Sequence, residues 1–73
     1  MSEKLDELEK LSAIATDMEL SIDLRTKAIE LLGNIGSHNA LLALLALAAD
    51  EKLDVSTRDL ALKKARDIIK AGH

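Results

Sequence analysis

Ala40 to Ala49 reads ALLALLALAA, ten consecutive residues without a polar side chain. In a helix this run makes roughly three turns and is apolar on every side, so it predicts a segment that must be covered all round. Such a segment is either central to its own fold or part of an oligomer interface. Before it, Leu5, Leu8, Leu11, Ile14 and Ala15 recur at helical spacing, which predicts a helix from about Glu3 to Thr16 with Ser2 placed as its N-cap. Ala28, Ile29, Leu32 and Ile35 predict a second helix over roughly Asp23 to Ile35, and Gly36 is a natural stop. Gly33, inside that helix, costs about 1 kcal/mol relative to alanine, which predicts close packing or early fraying there. Ser37 or Asn39 can cap the third helix, which carries the apolar run to about Ala49. Asp50 to Asp54 reads as a polar turn, and Ser56 with Asp59 matches a capping box for a fourth helix ending near Lys70. Four helices with short connections predict two antiparallel hairpins.

The chain also resembles itself. A shift of 33 residues matches Leu8 with Leu41, Leu11 with Leu44, Ala13 with Ala46, Ala15 with Ala48 and Asp17 with Asp50. It continues through Leu20 with Leu53, Arg25 with Arg58, Ala28 with Ala61 and Ile35 with Ile68. Ile14/Leu47, Ile22/Val55 and Ile29/Leu62 are conservative pairs. One domain over residues 1–73 is expected, with repeat 1 at about 3–36 and repeat 2 at about 37–70.

The mismatches make a further prediction. Repeat 1 has Glu9, Ser12, Thr16 and Lys27 where repeat 2 has Leu42, Leu45, Ala49 and Leu60, while Leu24 and Leu31 become Thr57 and Lys64. In a two-unit stack with polar outer caps, the apolar set on each side should be the inner seam. Leu42, Leu45 and Leu60 are thus expected to be structural, buried against repeat 1. On this reading Leu45→Asp should unfold a monomer.

Composition narrows the means of stabilisation. The 73 residues contain no Cys, Pro, Phe, Trp or Tyr, so the core must be built from aliphatic side chains, with Met18 as a gap filler. Total stability on the order of 4–11 kcal/mol is expected. The apolar run is too short to span a bilayer and the first ten residues are charged, which predicts a cytoplasmic protein without a membrane partner. The net charge of −3 is unevenly placed: residues 1–23 hold seven acids and two bases, residues 51–73 four acids and six bases.

RTKAIELLGNIG, ALLALLALAAD and VSTRDLALKKARDII, covering most of the chain, resemble HEAT-type α-solenoid repeats, especially the short HEAT-like repeats of phycobilisome lyases and scaffolding proteins. The resemblance implies an all-α fold: a four-helix domain of two antiparallel helical hairpins stacked as a minimal HEAT-like or armadillo-like right-handed superhelix. It implies that Asp17 and Asp50, with Arg25 and Arg58, bond along the stack. It also implies that second helices line the concave side, which makes Lys27, Glu30, Lys63, Arg66 and Lys70 candidate contacts to a partner. The turn proline usual in the family is missing.

Candidate chemistry is sparse. Ser37 and His38 are adjacent, but no acid stands where it could orient the imidazole. His38 and His73 lack metal-ligand spacing, and GNIG over residues 33–36 has the GxxG form of a nucleic-acid clamp without flanking strands. No catalytic residue, metal site or cofactor is expected. The functional expectation is a non-enzymatic protein-interaction or adaptor module acting on another protein, as a monomer with weak head-to-tail association. The alternatives are a nucleic-acid-associated protein using the basic last helix, or a self-assembling structural protein.

Overall fold

The computed structural model describes residues 3–72, with side chains from residue 6 onward. Ser2, proposed as a cap, and His73 lie outside the described residues, as does the side chain of Leu5. Four α-helices follow one another: α1 (Glu3–Thr16), α2 (Ile22–Ile35), α3 (His38–Ala48) and α4 (Val55–Lys70). No strand occurs among the described residues.

The helix ends have local causes. Ser21 Oγ accepts from Leu24 N–H at 3.2 Å and opens α2. Ser37, not Asn39, opens α3, its Oγ accepting from Ala40 N–H at 3.1 Å. The capping box expected at Ser56 and Asp59 is not used. Asp54 is the N-cap of α4, with an Oδ accepting from Thr57 N–H at 3.2 Å, and Ser56 lies inside the helix. The physical reason is competition: a carboxylate two residues upstream takes the cap, and the Ser56 hydroxyl donates to it. Gly36 closes α2 at φ 66°, its N–H reaching Leu32 O at 3.3 Å. That left-handed conformation is accessible to glycine at little cost.

Two turns are copies of each other. Asp17 Oδ1 accepts from Glu19 N–H and Asp50 Oδ1 from Lys52 N–H, both at 3.0 Å. Leu20 N–H then reaches Asp17 O, and Leu53 N–H reaches Asp50 O, both at 3.1 Å. These aspartates satisfy turn backbone that has no helical partner.

Helix α1 lies against α2, and α3 against α4; across the pairs α2 touches both α3 and α4, and α1 touches α3. The core between them holds Leu8, Ile29, Leu32, Leu41, Leu44, Leu47, Leu53 and Ile68 together with five alanines, Ala15, Ala28, Ala40, Ala61 and Ala65. Ile29, Leu32 and Leu44 are fully enclosed, each worth about 1.5–3 kcal/mol in burial. The Cα radius of gyration is 11.2 Å, the roughly 11 Å expected of a compact chain of this length.

Three expectations are corrected here. The run from Ala40 to Ala49 is not covered all round: Ala40, Leu41, Leu44 and Leu47 face inward, whereas Leu42 is 51% exposed and Leu45 38%. Leu42 and Leu45 therefore do not form a buried seam; of that set only Leu60 packs, partly buried, against the core. The inward stripe of α3 already meets α1, α2 and α4, and among the described residues no further helix is left to cover the other side. Met18 is exposed rather than filling a gap.

Candidate functional site

Arg25 and Asp54 tie the first helix pair to the second. Arg25 is buried, its Nη1 standing 3.4 Å from Asp54 Oδ1, in the one ion pair within 4 Å among the described residues. Its Nε donates to Leu20 O at 3.4 Å and its Nη1 also approaches Met18 Sδ at 3.5 Å. Asp54 in turn accepts from the hydroxyls of Ser56 and Thr57, and these bonds hold its carboxyl well below its usual range. A buried guanidinium requires such partners, because an unpaired charge inside costs several kcal/mol.

The arginine–aspartate pairing implied by the family resemblance differs in its acid. Asp17 and Asp50 are occupied by turn N–H groups, and Arg25 pairs with Asp54 instead. Arg58 donates from Nε to Ala48 O at 3.2 Å, closing the end of α3. Asp54 was legible through the repeat: the 33-residue shift pairs it with Ser21, and both are N-caps.

The repeat shift also separates covered surfaces from uncovered ones. Ile29 is fully buried, while its counterpart Leu62 is 46% exposed. In the opposite sense, Leu47 and Thr57 are buried, while their counterparts Ile14 and Leu24 are exposed. Leu31 is 50% exposed, whereas Lys64 at the matching position lies along α2, its Cδ 3.0 Å from where a Cβ on Gly33 would stand. Gly33 thus serves close approach, and α2 does not fray at it.

The molecule consequently has two uncovered apolar ends. One carries Ile14, Leu24 and Leu31, and beside Leu31 opens a groove of about 490 Å³ lined by Glu7, Lys10, Leu11, Asn34 and Ile35 as well. The other carries Leu42 and Leu45 on α3 and Leu62 on α4. Leu24, Leu31, Leu42 and Leu45 are the residues that the repeat mismatches assign to an inner seam, and all four are exposed.

Of the five candidate partner contacts, Lys63, Arg66 and Lys70 come together in one shallow groove with Asp59, Leu62 and Asp67. Lys27 and Glu30 are exposed on α2 and are not part of it. Two acids among three bases give that groove a weak net positive charge. Ser37 is occupied as a helix cap and His38 is exposed in the first turn of α3. Gly33 and Gly36 are an interior glycine and a helix stop, so GNIG is the end of α2. Among the described residues no group of three or more His, Asp or Glu stands ready for a metal, and no helix is long and apolar enough to cross a membrane.

No protein-family model matches the chain, and no curated protein or solved structure matches it significantly.

Proposed function

We propose that this chain is a non-enzymatic protein-interaction module, its two helix pairs forming antiparallel hairpins stacked as a minimal HEAT-like superhelix. The observation that carries the reading is the pair of uncovered ends. Leu24 and Leu31 on one, and Leu42, Leu45 and Leu62 on the other, are large apolar side chains turned to solvent, whereas Leu8, Leu32, Leu41, Leu44, Leu47 and Leu53 are buried. Large apolar side chains left exposed in this number mark contact with another macromolecule. The stacking is supported by the repeated turn at Asp17 and Asp50, the matched caps Ser21 and Asp54, and the contacts of α1 with α3 and of α2 with α4.

The test is affinity capture from the native host with the whole chain as bait, beside a Leu42→Glu/Leu45→Glu variant whose helicity is checked by circular dichroism. A specific protein held by the first bait and released by the second supports the module. Equal capture by both baits, or capture of nothing, removes it.

A further inference from the structure

We infer that the occupant of each uncovered end is the opposite end of a second copy of this chain, stacked head to tail. This rests on the interaction-module reading and gives it a partner.

The chain contains its own instance of the contact. Within one molecule, Leu8, Glu9 and Ser12 of α1 share a groove with Asn39 and Ala43 of α3, and Gly33 of α2 meets Lys64 of α4. Advancing the first member of each pair by one repeat, and moving the second back by one, gives the contact between copies. Leu41, Leu42 and Leu45 of one copy then face Asp6 and Lys10 of the next, and Arg66 faces Leu31. The polar side of the internal groove is replaced by leucines, over which the four-carbon stem of Lys10 can lie with its ammonium in water.

The second contact changes most. Position 33 is glycine inside the molecule because a Cβ there would already press on Lys64. At the matching position between copies stands Arg66, too large for the same close approach, but the surface opposite is correspondingly hollow. Leu31 is one wall of the 490 Å³ groove, which also contains Glu7. Arg66 therefore enters a groove that holds Glu7 and also Lys10, whose stem lies over the leucines of the neighbouring contact and leaves Glu7 as the partner for the guanidinium. The long side chain that would obstruct a flat stack becomes its locating peg. Charge favours the same polarity, since residues 1–23 carry seven acids against two bases and residues 51–73 six bases against four acids. The two ends differ, so the interface is heterologous and can be extended.

The experiment uses single-end variants of the full chain at exposed positions, Leu31→Glu and Leu45→Glu, each confirmed as helical by circular dichroism. Sedimentation velocity of the unmodified protein from micromolar to millimolar concentration should show a mass that rises with concentration. Each variant alone should sediment as a monomer at every concentration, and an equimolar mixture should form a dimer and nothing larger, because each variant retains one intact end. In addition, Glu7→Arg and Arg66→Glu should each weaken association and their combination should restore it. The inference is overturned if the unmodified protein stays monomeric throughout, or if either variant dimerises alone, which would mean that like ends pair. Failure here leaves capture of a different protein intact, whereas association without any captured protein retains self-assembly and removes the adaptor.

Discussion

Arg25 Nη1 lies 3.4 Å from Asp54 Oδ1, 29 residues further along the chain, so a buried guanidinium in α2 is anchored on the residue that starts α4. One carboxylate thus caps a helix, orders two hydroxyls and joins the two helix pairs. Asp54→Ala should lower Tm more than Ser56→Ala, because Ser56 only donates to the cap. The double variant Arg25→Met/Asp54→Ala should lose less than the sum of the single losses, as expected of groups in direct contact. Additive losses would show that the two residues act independently.

The same carboxylate predicts how the protein responds to acid. The Ser56 and Thr57 hydroxyls hold the folded Asp54 carboxyl far below its ordinary value of 3.8. A depressed folded value means that this stabilisation is fully present above the unfolded value and is lost as pH falls below about 3.8. Thermal melts should show a steeper loss of Tm in that acid range for the unmodified protein than for Asp54→Asn. Parallel curves for the two proteins would refute the assignment.

Gly33 offers a different measurement. Alanine there gains about 1 kcal/mol of helix propensity but brings a Cβ to 3.0 Å from the Lys64 side chain. Because the nearest atom belongs to a flexible stem, Gly33→Ala should be stabilising by less than that amount, and adding Lys64→Ala should recover part of the difference but not all, since the Lys64 Cβ itself stands 3.3 Å away. Gly33→Leu should destabilise. Denaturant midpoints at constant m-value would report all three.

The two sides of α3 should respond in opposite ways to the same charge. Leu44 is fully enclosed and Leu45 is 38% exposed. Leu44→Asp should abolish the cooperative transition, since a buried unpaired carboxylate costs several kcal/mol of a total on the order of 4–11 kcal/mol. Leu45→Asp should remain folded and monomeric. This reverses the outcome expected from sequence, and circular dichroism of the pair decides it.

The reason for that reversal shows what the amino-acid pattern could and could not convey. The extents of α1 and α2, the end of α4 at Lys70 and the stop at Gly36 were legible because periodicity and helix stops act within a few residues. The repeat was legible because it lies in the residue identities themselves. Which side of each repeat faces the other was not. Apolar content at Leu42 and Leu45 gave the wrong side, since the inward face is set by what lets two helices approach, and that is alanine and glycine as much as leucine. The sign was available at one place: Gly33, opposite Lys64, is small where its counterpart Arg66 is large. Asp54 was missed for a related reason, because Ser56 and Asp59 fit a familiar motif while the repeat pointed to Ser21.

Five of the enclosed core residues are alanines: Ala15, Ala28, Ala40, Ala61 and Ala65. At a leucine site some replacements keep the volume, and those that shrink the side chain leave a hole that neighbours can partly fill. At these alanines nearly every change enlarges it, and the helices must separate to make room. Drift in this protein should therefore be one-sided. In a saturation library selected for folding, the enclosed alanines should accept little beyond glycine and serine and tolerate fewer replacements than the leucines beside them, so the smallest side chains set the boundary of its neutral sequence space.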